Sequence, residues 1–293
     1  MVETEGYMVG GGLSGRTVIV TGGGRGLGRA MAFGLAKEGA NVCVAAHIKE
    51  DIEAVTNEAS ELGISDRFTA ILGDLRKTSV CQKVVEIAIS KFGGIFGLIN
   101  NAGLTFTYIA PNRYAVGGKW EKFYELSDEI VQNVMDTNFI AADRMARLVT
   151  PHLVRAGEGR LINVTTRLST MTHHGASPYG PSKAALEIAS EIWVKDLEGT
   201  GVTVNIVNPG AAANTDGFEV ADNRERASDI AGGMIEPYKM VAPACWLFSE
   251  AASNVTGMRF DAIDWDENGK PQLEANKVGR PFGFTNKPIE SVT

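Results

Sequence analysis

One stretch near the start of the chain constrains the fold more than any other: VIVTGGGRGLGRAMAFGLAKEGANV, residues 18–42. The β-branched run at 17–21 predicts a buried strand, and residues 26–38 predict a helix. Between them, Gly22, Gly26 and Gly28 allow a tight turn whose backbone can approach a pyrophosphate, with the free N–H groups of the helix start facing it. A flexible turn is the alternative interpretation, but a glycine cluster between a strand and a helix favours phosphate binding.

The alternation of short apolar runs and amphipathic stretches continues along the chain. Strands are predicted at 41–46, 68–72, 96–100, 159–166 and 202–210, and helices at 50–62, 80–92, 127–153, 178–197 and from 242 onward. Apolar residues at successive strand positions are typical of parallel strands that are buried on both faces. The repeated βα pattern therefore predicts an α/β fold: a Rossmann-type, doubly wound parallel sheet in a three-layer α/β/α arrangement.

We expect a single domain, because no linker or internal repeat interrupts this pattern. Residues 1–12 are glycine-rich and lack a basic flank and an apolar core, which predicts a flexible leader rather than a secretory signal. The domain itself is expected over 13–260. It includes an aromatic insertion at 104–126, whose apolar residues follow neither the helical nor the strand periodicity. Residues 261–293 are polar, contain Gly and Pro, and predict a C-terminal extension.

The composition argues against several functional classes. The formal net charge of −7 is opposite to the basic patch that nucleic-acid binding requires. Cys43, Cys81 and Cys245 are far apart, so buried free thiols are favoured over a disulfide, and no metal site is expected. No apolar run reaches the roughly 18 residues of a membrane span. These features predict a cytoplasmic protein without a nucleic-acid or membrane partner.

Five motifs follow one another in a characteristic order. They are TGGGRGLG at 21–28, NNAG at 100–103, Asn138 within DTNF, YGPSK with Tyr179 and Lys183, and NPG at 208–210. Their order resembles the short-chain dehydrogenase/reductase family over about residues 13–257. The resemblance implies an oxidoreductase that transfers a hydride between a nicotinamide cofactor and a ketone or secondary alcohol. It also implies a homo-tetramer or homo-dimer.

The YGPSK motif supplies an acid–base pair for such chemistry. Hydride transfer to a carbonyl carbon needs a group that exchanges a proton with the carbonyl oxygen. Tyr179 and Lys183 share a helix face, and the cation is expected to lower the tyrosine pKa by favouring the phenolate. Pro181 fits only the first helical turn, so Tyr179 is expected at the helix start, where the dipole adds to this effect. Taken without the other motifs, an exposed pair with no role is the simpler interpretation.

Thr166 and Asn138 complete the implied catalytic set. The family commonly has serine thirteen residues before the tyrosine, and this chain has Thr166, whose hydroxyl has the same hydrogen-bonding capacity. Its methyl group stiffens χ1 and is expected to select against bulky groups beside the carbonyl. Ser169 is the alternative hydroxyl. By resemblance, Asn138 holds a water in a proton relay, and a bond to a neighbouring backbone carbonyl is the alternative role.

The end of the second predicted strand bears on the choice of cofactor. The strand ends at Ala46 without a carboxylate that would repel a 2′-phosphate, and His47 follows it. By resemblance, a basic residue at the position of Arg25 suits NADP(H), so we expect NADP(H) to be preferred, with NAD(H) as the alternative. If Arg25 simply points to solvent, this preference loses its main support. Asp74 resembles the residue that binds the adenine amino group, with Leu75 beside it, and a surface-turn aspartate is the alternative.

The resemblance implies a cofactor-contacting set along the whole chain. It comprises Gly22, Arg25, Gly26, Leu27, Gly28, His47, Asp74, Leu75, Asn101, Ala102, Gly103, Tyr179, Lys183, Pro209 and Gly210. The family often has threonine where this chain has Asn214, and Thr215 could substitute with a one-residue shift.

Three features bear on the substrate and on competing functions. The insertion at 104–126 is expected either to cover the substrate or to pack against a neighbouring subunit. His173 and His174 are expected at the pocket rim, with solvation favoured over catalysis. The segment after Gly210 resembles the family's flexible substrate loop. Two alternatives to hydride transfer are kept open: a cofactor-binding sensor or scaffold without turnover, and a lyase or epimerase on the same scaffold.

Overall fold

The structure is a computed structural model that describes residues 12–115, 117–215 and 234–283. Its strands are β1 (Thr17–Thr21), β2 (Asn41–Ala46), β3 (Phe68–Leu72), β4 (Gly97–Asn100), β5 (Gly159–Val164), β6 (Val202–Asn208), β7 (Ala212–Ala213), β8 (Met234–Ile235), β9 (Met258–Asp261) and β10 (Arg280–Pro281). Its α-helices are α1 (Gly26–Lys37), α2 (Lys49–Glu61), α3 (Thr78–Phe92), α4 (Phe106–Ile109), α5 (Asp128–Met135), α6 (Ala141–Ala156), α7 (Leu168–Met171), α8 (Tyr179–Asp196), α9 (Val241–Phe248) and α10 (Pro271–Val278). The expected leader lies outside the described residues except for Gly12.

Eight strands form one sheet in the order β10-β9-β6-β5-β4-β1-β2-β3, and β7 pairs with β8 separately. The pairing is parallel throughout the large sheet except between β9 and β10. The chain order reverses between β1 and β4, from which successive strands lead away in opposite directions. Ligands of open α/β sheets bind at such a switch point, outside the carboxyl ends of the strands. The predicted Rossmann-type, doubly wound sheet is confirmed.

The alternation of side chains along each strand builds a core on both faces of the sheet. In β1, Val18 and Val20 belong to the core that includes α1 and α9, whereas Ile19 belongs to the core that includes α3 and α6. All three side chains are fully buried. Because burying an aliphatic side chain contributes about 1.5–3 kcal/mol, both helix layers are held firmly against the sheet.

The long helix predicted over 127–153 exists, but it is not uniformly α-helical. Ser127 caps α5 by accepting a hydrogen bond from the backbone N–H of Ile130 at 3.3 Å. The chain then passes through a π-helical turn, Asp136–Ile140, before α6 begins. Single π turns concentrate at functional sites, and this one carries the buried Asn138.

The segment beyond residue 260, expected as an extension, packs into the domain. Trp265 is buried, and its ring centroid lies 5.9 Å from that of Trp246 and 6.2 Å from that of Phe260. Further along, β10 adds an antiparallel edge strand to β9, and the following Phe282 is buried. Residues 284–293 of the expected extension lie outside the described part of the chain.

Candidate active site

Hydrogen bonds join the carboxyl ends of β1 and β4 at the switch point. Nδ2 of Asn101 donates to the carbonyl oxygens of Thr21 and Gly22, both at 3.1 Å. The Thr21 hydroxyl oxygen accepts from the backbone N–H groups of Asn101 at 3.0 Å and Ala102 at 3.1 Å. The glycine loop and the NNAG motif therefore fix each other's backbone, which gives a physical reason for their occurrence together.

The glycine loop forms a backbone cradle that a side chain would fill. Gly22 and Gly26 have φ values of 63° and 54°, a region that favours glycine. A Cβ atom on Gly28 would collide with the carbonyl oxygen of Gly22 and with the amide of Asn101. Leu27 packs against the core and anchors the first turn of α1. This cradle at a helix start fits the pyrophosphate of a dinucleotide.

Arg25 is held by a carboxylate that sequence reasoning missed. Its Nε lies 3.6 Å from Oδ2 of Asp51, in the first turn of α2. A Cβ on Gly24 would lie 2.9 Å from Cβ of Asp51, so this residue packs directly beneath the glycine loop. The strand β2 does end at Ala46 without a carboxylate, as expected. The wider expectation that no carboxylate lies near the 2′-phosphate position is wrong, because the first turn of α2 places Asp51 beside the glycine loop. Arg25 nevertheless keeps 39% of its side-chain surface exposed.

Two further candidate cofactor residues lie at the same edge of the sheet, after β3. Arg76 donates to both carboxylate oxygens of Asp74, at 2.8 Å from Nη2 and 3.1 Å from Nε, and thereby lowers the pKa of Asp74. The exposed His47, after β2, lowers that pKa further. An ionised carboxylate has about four acceptor sites, so Asp74 retains capacity for a ligand. Leu75 beside it is buried.

The end of β5 and the start of α8 bring two candidate catalytic hydroxyls together. Thr166 follows β5 and is 8% exposed, and Tyr179 is the first residue of α8. A side-chain interaction with the Thr166 hydroxyl lowers the pKa of Tyr179, which indicates that the two hydroxyls lie near each other. Ser169, the alternative hydroxyl, is exposed on α7. The ring of Phe106, from the insertion, packs 4.7 Å from the Tyr179 ring between centroids.

Lys183 lies one turn along α8 and is buried, with Nζ donating to the carbonyl oxygen of Val164 at 2.8 Å. Burial lowers the pKa of this amine to about 8. Burial also raises the pKa of Tyr179 to about 12, with the hydrogen bond from Thr166 opposing the rise and Tyr114 adding to it. The sequence-based expectation of a lowered tyrosine pKa is therefore wrong in direction. The reason is physical: desolvation outweighs a cation that lies 6.0 Å from the ring centroid.

Asn138 connects the loop after β4 to α8. Its Oδ1 accepts from the backbone N–H of Leu104 at 2.7 Å, and its Nδ2 donates to the Leu104 carbonyl and to the Ser182 hydroxyl oxygen, each at 3.0 Å. The Leu104 partners lie 34 positions earlier in the chain, not on the neighbouring helical turn. A Cβ on Gly103 would lie 3.3 Å from Oδ1 of Asn138 and 3.5 Å from Nζ of Lys183, so this backbone reaches both groups.

The NPG turn after β6 lies at the same edge of the sheet. Gly210 has a φ of 74°, and its N–H donates to Oδ1 of Asn208 at 2.9 Å. The carbonyl oxygen of Pro209 accepts from the N–H of Ile263 at 3.1 Å. These bonds fix the turn between β6 and the segment that follows β9.

Beyond this turn, Thr215 and not Asn214 faces the glycine loop. The Thr215 methyl group lies 3.0 Å from where a Cβ on Gly26 would be. Asn214 instead donates through Nδ2 to Glu236 at 2.8 Å. Thr215 therefore joins the candidate cofactor site, and the one-residue shift in the motif is the signal for it. Residues 216–233 of the expected substrate loop lie outside the described residues.

The aromatic insertion packs on the start of α8 and on the loop before it. The guanidinium carbon of Arg113 lies 3.7 Å from the ring centroid of Trp120 and 4.1 Å from that of Phe106, and Nη1 donates to the Gly175 carbonyl at 3.0 Å. This buried arginine thus ties the insertion to the loop that precedes Tyr179. Of the two expected roles, a covering position next to Tyr179 fits these contacts.

His173 and His174 are exposed beside Trp120, with ring centroids 4.7 and 6.0 Å from that of the indole. Together with Trp120 they line a cleft of about 840 Å³, whose other lining residues are Lys119, Glu121, Lys122 and Glu125. Within the described part of the chain, His173 bonds through Nδ1 to the His174 carbonyl oxygen, and neither histidine bonds to Tyr179 or Thr166. Solvation therefore fits the pair better than catalysis.

A family comparison matches residues 16–226 to the short chain dehydrogenase family. The chain belongs to this family. Membership in the short-chain dehydrogenases makes the protein an oxidoreductase and implies a nicotinamide cofactor. The glycine cradle and the neighbouring NNAG backbone fit such a cofactor, because a side chain at Gly28 would destroy the loop that has to bind the pyrophosphate.

Individual members of the family are similar to this chain over most of its length. The ketoacyl reductase HetN of Nostoc sp. is 33% identical over 79% of this chain and 74% of the relative. A short-chain type dehydrogenase/reductase of Picea abies is 32% identical over 86% and 89% of the two chains. The crystal structure of a dehydrogenase/reductase from Sinorhizobium meliloti 1021 has 30% sequence identity and a TM-score of 0.72, and the match covers 88% of this chain and 97% of that chain.

Two features of the described residues bear on other functional classes. No helix in 12–115, 117–215 or 234–283 is long and apolar enough to cross a membrane. The same part of the chain contains no group of three or more His, Cys, Asp or Glu side chains arranged to hold a metal ion. Cys43, Cys81 and Cys245 are buried free thiols, as predicted.

Proposed function

We propose that this short-chain dehydrogenase interconverts a ketone and a secondary alcohol with NADP(H), using Tyr179, Lys183, Thr166 and Asn138. The single observation that carries the proposal is the proximity of the Thr166 and Tyr179 hydroxyls, by which Thr166 lowers the tyrosine pKa, beside a buried lysine. Two converging hydroxyls are what a carbonyl oxygen needs as hydrogen-bond partners. Their position at the carboxyl edge of the sheet, beside the glycine cradle, supports the same function.

Tyr179 acts as the acid in reduction and as the base in oxidation. When bound, the nicotinamide cofactor supplies the hydride to the carbonyl carbon, or accepts it in the reverse direction. The Thr166 and Tyr179 hydroxyls hold the substrate oxygen, and Tyr179 donates its phenolic proton to that oxygen. Because burial raises its pKa to about 12, the phenol is fully protonated at neutral pH and so is in the form that reduction requires.

Lys183 and Asn138 support the proton transfer. A cationic Lys183 stabilises the phenolate that Tyr179 becomes on donating its proton. Asn138, whose amide is fixed by bonds to Leu104 and Ser182, holds the water through which the phenolate recovers a proton. Burial of the Asn138 side chain, which has 0% exposure, keeps this orientation constant.

Arg25 and His47 support a preference for NADP(H) over NAD(H). Arg25 is partly exposed at the start of α1, and His47 follows β2 at the same edge of the sheet. An arginine is suited to a 2′-phosphate by its planar fork of donors. Asp51 holds Arg25 in position but also competes with the phosphate for it, so the preference is expected to be moderate. Asp74 and Leu75 contact the adenine ring in this proposal, and Pro209, Gly210 and Thr215 lie on the nicotinamide side.

The substrate is a small carbonyl compound or alcohol, in line with the names of the relatives. HetN is named a ketoacyl reductase, and the relatives in Staphylococcus are named 3-oxoacyl-[acyl-carrier-protein] reductases. By family resemblance, the enzyme works as a cytoplasmic homo-tetramer or homo-dimer, which light scattering of the purified protein tests directly.

The experiment that tests this function is a screen of ketones and secondary alcohols with each nicotinamide cofactor. The near-ultraviolet absorbance of the reduced cofactor reports turnover, and product analysis runs in parallel. Hydride transfer predicts a cofactor change equal to the product formed. Cofactor binding without product would favour a sensor or scaffold, and product without a net cofactor change would favour a lyase or epimerase.

A further inference from the structure

A buried ion pair lies directly behind the two candidate catalytic hydroxyls. Arg259 of β9 and Glu187 of α8 are 6% and 3% exposed, and Nη1 of the arginine donates to Oε1 of the glutamate at 2.5 Å. Nη2 of Arg259 donates to the backbone carbonyl oxygen of Thr166 at 2.9 Å. On the glutamate side, Oε2 accepts from the Thr165 hydroxyl at 3.2 Å. The ion pair therefore forms hydrogen bonds with both Thr165 and Thr166, the two residues that follow β5.

The same cluster reaches the turn after β6 and the C-terminal edge strand. Nε of Arg259 lies 3.7 Å from Oδ1 of Asp261, an ionic contact without a hydrogen bond. Asp261 also accepts from Nδ2 of Asn208, which precedes Pro209, and from Nη2 of Arg280 in β10 at 2.5 Å. A single charge network thus connects β5, α8, β6, β9 and β10 behind the candidate active site.

We propose that Arg259, paired with Glu187, is a positioning residue that fixes the Thr166 hydroxyl against Tyr179. The proposal rests on the proposed function for its kinetic readouts, but its geometric content does not depend on turnover. Arg259 itself contacts only the backbone of Thr166 and lies behind it. Its effect is to hold the peptide whose side chain bonds to Tyr179.

A positioning role explains why this ion pair is buried at all. A buried salt bridge is weak evidence for stability, because desolvating two charges offsets their attraction, and apolar replacements of similar volume are often tolerated. What a fully bonded buried network supplies is a fixed geometry. Here the fixed element is a strand end that has to keep one hydroxyl within hydrogen-bonding distance of the first residue of a helix.

The test separates positioning from stability by comparing a single with a double substitution. Arg259→Met leaves Glu187 buried and unpaired, so this variant is expected to lose stability as well as activity. Arg259→Met combined with Glu187→Leu removes both charges and is expected to recover the melting temperature. It does not restore the donor to the Thr166 carbonyl, so kcat for ketone reduction stays about tenfold or more below that of the wild-type enzyme. KM for the cofactor is unchanged.

The control is another Arg–Glu pair, which lies at the amino ends of the strands. Arg16 and Glu158 precede β1 and β5 and form an ion pair there. Arg16→Met combined with Glu158→Leu removes a partly exposed Arg–Glu pair that does not contact Thr166 or Tyr179. This control is expected to retain wild-type kcat.

A pH profile gives a readout that a merely structural role would not change. The titratable groups beside Tyr179 in the described structure are Lys183 on its own helix and Tyr114 on the insertion, with Arg113 behind Phe106. None of them is altered in the double variant. If Thr166 loses its fixed position, its bond no longer opposes the raised tyrosine pKa, and the alkaline limb for alcohol oxidation moves to higher pH.

The ¹³Cζ chemical shift of Tyr179, assigned with Tyr179→Phe, measures the hydrogen bond without turnover. The proposal requires this shift to change in the Arg259→Met/Glu187→Leu variant and to stay constant in the Arg16→Met/Glu158→Leu control. An unchanged shift, or wild-type kcat in a stable double variant, overturns the proposal. If the wild-type enzyme turns over no ketone, the proposed function fails, while the chemical shift still decides whether Arg259 positions Thr166.

Discussion

The hydroxyl of Thr166 interacts with that of Tyr179 and lowers its pKa, although the two residues are thirteen positions apart and one follows a strand while the other begins a helix. This contact defines the point where a carbonyl oxygen would be held. It also makes the Thr166 side chain, in place of the serine common in the family, a direct influence on what fits there.

Substitutions at Thr166 test the hydroxyl and the methyl group separately. Thr166→Ala removes one donor to the substrate oxygen and is expected to lower kcat about 10²- to 10³-fold. Thr166→Ser keeps the hydroxyl but removes the methyl, so it should retain activity and gain relative kcat/KM for ketones with a bulkier substituent. A panel of methyl, ethyl and isopropyl ketones measures both effects. An unchanged ranking of this panel in Thr166→Ser would show that the methyl selects nothing.

The pH dependence of ketone reduction is expected to report Lys183. Burial lowers the pKa of this amine to about 8, so its positive charge is present below that pH and is lost as the pH rises through it. Tyr179 stays protonated over the same range because its pKa is raised to about 12. Loss of the cation removes the stabilisation of the phenolate, so kcat for reduction should fall above about pH 8.

Lys183→Arg is the control for this profile, because arginine keeps its charge throughout the accessible pH range. Whatever activity the variant retains should lack the break near pH 8. A wild-type profile that is flat from acidic to clearly alkaline pH would show that Lys183 does not act through its charge.

Substitutions of Arg25 and Asp51 test the cofactor preference, because they are expected to change NADP(H) affinity in opposite directions. Arg25→Ala should weaken NADP(H) binding about tenfold or more and NAD(H) binding much less, because a charge-assisted bond to the 2′-phosphate is lost. Asp51→Asn removes the negative charge beside the guanidinium, and should tighten NADP(H) binding by a few-fold, as expected for a partly exposed ion pair. Fluorescence titration measures the dissociation constants of NADP(H) and NAD(H) for each variant and for the wild-type enzyme. Equal losses for the two cofactors in Arg25→Ala would refute the role of Arg25.

Asn138→Ala is expected to destabilise the site as well as slow it. The substitution leaves the N–H and the carbonyl of Leu104 without their partners and removes the bond to Ser182. Leaving partly buried polar groups unsatisfied costs about 2 kcal/mol here, so the melting temperature should fall by several degrees. Urea denaturation with and without cofactor measures this loss. A full loss of activity at unchanged stability would mean that Asn138 serves only the proton relay.

Features that depend on neighbouring residues were predictable from the sequence. The strands and the helix starts at Gly26 and Tyr179 follow from local patterns of apolar, glycine and proline residues. These properties are local or follow from the βα alternation, which leaves few topologies open.

Features that depend on contacts across the fold were not predictable. The pairing of Arg25 with Asp51 arises because α2 starts soon after β2 and places Asp51 beside the glycine loop. The periodicity of apolar residues does not predict this contact. The ion pair of Arg259 with Glu187 joins positions 72 residues apart on different elements. The raised pKa of Tyr179 comes from the burial that packing around it, including Phe106, produces, whereas the i, i+4 spacing to Lys183 suggested the opposite direction.

The most direct test of the central claim compares wild-type enzyme with Tyr179→Phe in ketone reduction, with Tyr238→Phe as the control. Tyr238 is 45% exposed on a 3₁₀ turn away from the described site contacts, so its substitution should leave kcat unchanged. Tyr179→Phe keeps the ring but removes the proton, and we expect kcat to fall about 10²- to 10⁴-fold while the Kd for NADPH stays within about twofold. A kcat close to that of the wild-type enzyme would contradict the assignment of Tyr179 as the proton donor.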